Sequence, residues 1–159
     1  SMGVLHHTKN CYLAFKKISS FVKSKGFLYV GLYHHFGRKP MLEFLQGHAR
    51  WYGEDSAFNL FKSMYKESNN LEHSYSWFRD QVLHPHETQH TLKEVKSWLN
   101  EINFKLVSTS INNYKNISKY NDSQLDKMEE ELENKSYINN VLKLNFTPGY
   151  FTICAQNIN

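Results

Sequence analysis

A chain of 159 residues, 40 % apolar and 15 % aromatic, holds enough interior for one folded domain and excludes a disordered polymer. No apolar run approaches the roughly 20 residues of a membrane helix, and no charged-then-apolar leader opens the chain. The net charge of +4 is modest and rests on sixteen Lys against three Arg, a balance that speaks against nucleic-acid recognition, where Arg dominates. Cys11 and Cys154 stand alone in the sequence and read as free, buried thiols of a cytoplasmic protein.

Gly3-Val4-Leu5-His6-His7-Thr8 opens the chain as a loop with no strand ahead of it. Thr8 is a candidate N-cap for a helix over 9–25. There Cys11, Ala14, Phe15, Ile18, Phe21 and Val22 fall at helical spacing, while Lys16, Lys17 and Lys23 take the other side. Gly26 stands where a helix end favours a left-handed residue. Phe27–Tyr33 is a nearly continuous apolar run, the pattern of a strand covered on both faces. Residues 40–70 carry a helical pattern through Leu42, Phe44, Leu45, Trp51, Phe58, Leu60, Phe61, Met64 and Tyr65, ended by Ser68-Asn69-Asn70. A shorter one over 74–83 holds Tyr75, Trp77 and Phe78. These aromatics read mostly as core, or as a helical lid over a substrate.

His84-Pro85-His86 must be extended or turning, because Pro restricts the residue before it. Thr91-Leu92-Lys93-Glu94 is a capping-box pattern opening a helix whose stripe is Leu92, Val95, Trp98, Leu99 and Ile102, with Asn103 to end it. Phe104–Thr109 alternates as a strand. Residues 110–122 are rich in Asn and Ser and read as loop. The acidic stretch 126–133, with a thin seam of Leu125, Met128 and Leu132, predicts a short surface helix, and 134–145 a second. Phe146-Thr147-Pro148-Gly149 turns into a last strand over 150–155. With no internal repeat, residues 1–159 make a single domain carrying a helical insertion over 40–90 and a variable one over 110–146.

This order of loop, helix, glycine, strand, helical insertion, capped helix and two strands resembles the C-terminal half of a class I S-adenosylmethionine-dependent methyltransferase. Gly3-Val4-Leu5-His6-His7-Thr8 is similar to that family's loop after its fourth strand. Lys25-Gly26-Phe27-Leu28-Tyr29-Val30-Gly31-Leu32-Tyr33 resembles its fifth strand with the preceding turn, and Thr147-Pro148-Gly149-Tyr150-Phe151 the start of its seventh. Trp77-Phe78-Arg79-Asp80 and His84-Pro85-His86-Glu87, leading into His90-Thr91, resemble a bacterial subgroup. The likeness spans nearly the whole chain apart from 110–146. It implies a partial Rossmann-like α/β fold: a small mixed sheet of about three strands in the order Phe27–Tyr33, 150–155, Phe104–Thr109, the last strand antiparallel in the middle, with helices on its faces.

The same resemblance implies methyl transfer, with S-adenosylmethionine as the cofactor of an intact family member. The family holds that cofactor on a glycine-rich turn, where the backbone must approach closely, and binds the ribose with an acidic residue. This chain has seven glycines, at 3, 26, 31, 37, 47, 53 and 149, and no G-x-G. No cofactor-binding residue is therefore assigned, and the chain alone is expected not to bind S-adenosylmethionine tightly. Its first strand should leave an open edge, to be filled by a second copy in a homodimer or by a complementary N-terminal half.

His6 and His7 are candidates for proton chemistry, since a free histidine side chain changes charge near neutral pH. By the resemblance they lie near the reacting methyl group, for substrate positioning or proton removal; the alternative is a pair of loop histidines bonded to backbone. Tyr33, His34 and Arg38 follow a strand end, where ligands of open α/β sheets gather, and suit a substrate carboxylate or phosphate; the alternative for Arg38 is a structural ion pair. His84, His86, Glu87 and His90 form a polar loop stiffened by Pro85, either facing substrate or locking the fold. Their H-x-H-E-x-x-H spacing matches no tight metal template, and no metal is assigned. A non-enzymatic module binding a small ligand or a protein is the rival to the enzyme reading.

Overall fold

The computed structural model describes residues 1–65 and 70–159, so the expected break at Ser68-Asn69 lies outside the described residues. Helix α1 (Cys11–Ser19) starts two residues later than its pattern, because the Asn10 side chain accepts the Leu13 amide at 2.9 Å. Thr8, the expected cap, closes the preceding 3-10 turn Leu5–His7, its hydroxyl on the Leu5 carbonyl at 2.6 Å. The helix ends well short of residue 25: the Ser19 and Ser20 hydroxyls bond back to the Lys16 and Lys17 carbonyls. The left-handed residue is Lys25, with φ 60°, rather than Gly26.

Strand β1 (Phe27–Tyr33) passes into α2 (His35–Tyr52) through His34. Gly53, at φ 87°, breaks the helical pattern before α3 (Glu54–Met64). Helix α4 (Leu71–Val82), α5 (Leu92–Glu101) and β2 (Phe104–Thr109) follow. Two 3-10 turns, Ser110–Asn112 and Ile117–Lys119, lead to α6 (Asp122–Tyr137), which ends in a π turn, Ile138–Leu142, before β3 (Tyr150–Asn157). Where two short helices were expected over 126–145 there is one long one. It starts earlier because Asn121 and Gln124 cap each other reciprocally. At Thr91 the box is only half made: its hydroxyl takes the Glu94 amide at 3.1 Å, but the Glu94 carboxylate turns to His90 at 3.0 Å.

The sheet runs β1-β3-β2, with β3 antiparallel to both neighbours. Val30 faces Ile153 and Leu106 faces Ala155, and a register shift lies between Leu106 and Ser108. Leu28, Val30, Leu32, Phe151, Ile153 and Ala155 share one face and pack on Phe15 of α1, Val95, Trp98 and Leu99 of α5, and Leu125 of α6. On the opposite face Phe27 is 61 % and Tyr29 45 % exposed, so β1 is covered on both sides only toward its carboxyl end. Burial of this core is the main stabilising term.

Helices α2, α3 and α4 form a second cluster around Met41, Leu45, Phe61, Phe78 and Val82. Trp51, expected in it, is 85 % exposed. No helix among the described residues is long and apolar enough to cross a membrane.

The edge of β1 is not bare. Residues 1–3 lie along it, with Met2 paired parallel to Gly31. Gly31 exchanges bonds with Ser1 and Gly3 at 2.9 and 3.3 Å, and the Ser1 amine donates to the Tyr29 carbonyl at 2.9 Å. The chain start thus makes one isolated parallel bridge to β1 at Met2, which three residues were too few to reveal.

Candidate functional site

The carboxyl end of β1 is fastened on three sides. The His90 amide donates to the Tyr33 carbonyl at 3.0 Å, the His34 amide to the Gly149 carbonyl at 2.8 Å, and the Tyr33 amide to Nδ1 of His6 at 3.2 Å. The loops 6–8 and 84–88 are zipped together in turn. Thr88 donates its amide to the His6 carbonyl at 2.8 Å, His7 Nδ1 donates to the His86 carbonyl at 3.2 Å, and His86 Nε2 donates to the Thr8 carbonyl at 2.9 Å.

At the centre lies Arg38, in the first turn of α2 and fully buried. Nε and Nη2 grip the Glu87 carboxylate at 2.7 Å each. Nη2 also reaches the Gln81 carbonyl at 2.7 Å, and Nη1 reaches the Pro148 carbonyl at 2.8 Å and Gln81 Oε1 at 3.3 Å. All five guanidinium N–H donors are thereby used. The guanidinium carbon sits 3.4 Å from the centre of the Tyr33 ring, and His6 stacks on that ring at 3.9 Å. Gln81 Nε2 donates to the Tyr33 hydroxyl at 2.7 Å. Burial pushes the Tyr33 phenol up, with Arg38 opposing.

His6 is fully buried. Its Nδ1 accepts from the Tyr33 amide, so the neutral ring carries its proton on Nε2, which has no hydrogen-bond partner among the described residues. Burial, then the neighbouring His7 and Arg38, push its pKa from 6.5 down to about 3. Folded His6 therefore stays neutral where unfolded His6 takes up a proton. Its contribution to stability is whole above pH 6.5 and falls as pH drops toward 3. The limiting slope is about 1.4 kcal/mol per pH unit. We expect urea denaturation between pH 6 and 4 to show a shallower loss in His6→Asn, whose amide oxygen replaces the acceptor; parallel curves for the two proteins would refute a neutral His6.

The remaining candidate residues separate. His34 caps α2, with Nδ1 accepting the Gly37 amide at 3.1 Å and Nε2 donating to Glu129 at 2.6 Å. His90 joins Glu94 at 3.0 Å and Thr88 at 2.9 Å. Neither ring has a nitrogen left for a ligand. Glu87 is held by Arg38 and His86 by Thr8, so the four-residue set His84, His86, Glu87 and His90 does not converge. His7 and His84 do approach each other, ring centres 4.1 Å apart, beside Asp80.

Next to these groups a cleft of about 370 Å³ opens between residues 2–3, Tyr33, Trp77, Asp80, Gln81, Pro148 and Tyr150. The indole N–H of Trp77 is buried without a partner among the described residues. Sequence reasoning missed Gln81, Asp80, Gly149 and Glu129. For Glu129 a signal existed: it stands four residues after Leu125 and three before Leu132, inside the apolar seam rather than on the wet side. It is 2 % exposed and also accepts the Leu92 amide at 2.5 Å, so one carboxylate serves the start of α5 and the start of α2. Cys11 is buried, which pushes its thiol up to about 12. Cys154 is half-buried and its thiol is also raised. Neither is an activated nucleophile.

Comparison with models of known protein families gives no match, and comparison with curated proteins gives none either.

Proposed function

We infer that this chain is the acceptor-side half of a class I S-adenosylmethionine-dependent methyltransferase, a partial Rossmann-like fold whose nucleotide-binding strands add to the edge of β1. The observation that carries the reading is the pairing of residues 1–3. It is parallel to β1, it lies on the side away from β3, and its direction places any residues upstream of Ser1 alongside 27–29. A class I sheet needs a parallel neighbour at that position. The order β1-β3-β2 with an antiparallel middle strand is the arrangement the resemblance implies for the fifth, seventh and sixth strands.

The residues present do not form an adenosyl site of their own. None of the seven glycines stands in a G-x-G, and the two helices that directly follow a strand-like segment, α1 and α2, begin with Cys11 and His35 rather than a glycine turn. The bound cofactor would supply an electrophilic methyl group; this chain supplies the acceptor's walls. Arg38, Glu87 and Gln81 hold Tyr33 and the His6–His7 turn at the strand end. The cleft beside them, lined by Tyr33, Trp77 and Asp80, receives the acceptor. His6, neutral and buried, is a positioning group here.

The rival completion is a homodimer joined through two β1 edges. A twofold axis pairs identical strands antiparallel, and residues 1–3 already occupy that edge in the parallel sense. A complementary half sharing their direction is favoured, and it is sought in the coding frame immediately upstream. The polypeptide read from that frame is expected to contain a strand, a glycine-rich turn and a helix, and to bind adenosylhomocysteine in calorimetry, while this chain alone stays silent. Binding by this chain alone with undiminished affinity, or an upstream frame without such a turn, defeats the reading. In the second case the cleft favours the ligand-binding module.

A further inference from the structure

Asp80 lies in the last turn of α4, and His84 stands two residues past the end of that helix at Val82. The turn Leu5–His7 brings His7 against them. One ligand-capable atom from each of His7, Asp80 and His84 lies within 4.8 Å of the other two, and all three side chains are half-buried. We propose that these three residues bind a divalent transition-metal ion of the zinc type. This is independent of the methyltransferase reading.

The chemistry of the set selects the ion. Two imidazoles and one carboxylate suit Zn²⁺, Co²⁺ or Fe²⁺, whereas Ca²⁺ and Mg²⁺ want oxygen ligands throughout. The groups behind the three are arranged as metal sites require. His7 Nδ1 donates to the His86 carbonyl at 3.2 Å, which fixes the tautomer and leaves the Nε2 lone pair free. An Asp80 oxygen accepts from Gln81 Nε2 at 2.9 Å, and Gln81 is itself anchored to Arg38 and Tyr33. His84 is the ligand that must adjust. Its Nδ1 faces the His86 amide at 3.2 Å, a long contact. If Nε2 ligates, the ring proton moves to Nδ1 and this contact is given up.

Three protein ligands leave at least one position on the ion for water or another donor. Asp80 also lines the cleft of about 370 Å³, so the ion would lie beside it. The loop histidines that the sequence offers as a cluster are thus redistributed: only His84 of that group takes part, and its companions come from residue 7 and from α4.

The test is titration of the chelator-treated full chain with Zn²⁺ by calorimetry, and with Co²⁺ by visible absorption. One equivalent of Zn²⁺ is expected to bind and to raise the melting temperature. The Co²⁺ complex should show d–d bands of a low-coordinate imidazole site. His7→Gln and Asp80→Asn should each weaken binding more than about tenfold, while His35→Gln, at an exposed histidine, leaves it unchanged. Circular dichroism of the metal-free variants shows whether each is folded. If a variant fails to fold, the wild-type Co²⁺ spectrum decides. No binding by the wild type, a Co²⁺ spectrum of six-coordinate aquo character, or folded variants with undiminished affinity each overturn the site.

Discussion

Glu87→Gln is expected to destabilise the protein by about 3–5 kcal/mol, because it leaves the buried Arg38 guanidinium without its counter-charge. Arg38 has no exposed side-chain surface and the Glu87 side chain only 10 %. Water therefore cannot replace the lost partner, and the low local dielectric raises the penalty for an unpaired ion. The substitution keeps the shape and one acceptor oxygen, so what it removes is charge and one of two parallel bonds. The effect should spread beyond the pair. Arg38 ties α2 to the end of α4 through Gln81 and to the approach of β3 through Pro148, and it covers the Tyr33 ring. Urea denaturation followed by circular dichroism measures the loss. The double variant Arg38→Met, Glu87→Leu should recover part of it, since removing both charges also removes both desolvation penalties. A single-variant loss below about 1 kcal/mol would mean that the pair is solvated and is not the hub described.

Gly149→Ala is expected to be more damaging still. Gly149 has φ +65°, and an added Cβ would lie 2.4 Å from the Arg38 nitrogen and from the Gly37 carbon and oxygen. All three are backbone atoms in the first turn of α2, so no side chain can swing aside. Relief requires parting β3 from α2, which breaks the bond from the His34 amide to the Gly149 carbonyl and the Arg38 contact at Pro148. Gly53→Ala is the matched control. Its φ is +87°, but nothing lies within 4 Å of the added carbon, so only the backbone penalty of about 1–3 kcal/mol applies. Gly149→Ala should exceed that control by more than about 2 kcal/mol or yield no folded protein. Equal losses in the two variants would show that the approach of β3 to α2 is looser than the structure has it.

The elements were legible where a local pattern has a single physical solution. The apolar run 27–33 and the alternating run 104–109 are strands, and their order around β3 follows what the resemblance implies. Helix α5 was marked by Thr91 and its stripe from Leu92 to Leu99. Boundaries went wrong where a side chain chose between competing backbone partners. Asn10 rather than Thr8 caps α1, and Lys25 rather than Gly26 takes the left-handed turn. Asn121 extends α6 beyond its acidic centre.

The candidate site was legible only as an inventory. Tyr33 and Arg38 were singled out as polar residues after a strand end, His6 through the resemblance of its loop and Glu87 as part of a polar loop, yet their partners are set by distance in space. Arg38 and Glu87 stand 49 residues apart in sequence and Arg38 and Pro148 110, and no periodicity encodes such pairings. Glu129 looked like one more surface carboxylate of an acidic helix; the packing of α6 against α2 and α5 buries it under His34.

Composition, hydrophobic period and capping residues by themselves determined that the chain mixes helices with the three strands found among the described residues, because those signals act within a helical turn or a strand's length. Only the tertiary structure decided which polar groups are spent on the fold and which stay available. Burial decides that, and burial is a property of contacts between distant segments: it saturates Arg38, holds His6 neutral, and gathers His7, Asp80 and His84 beside an open cleft.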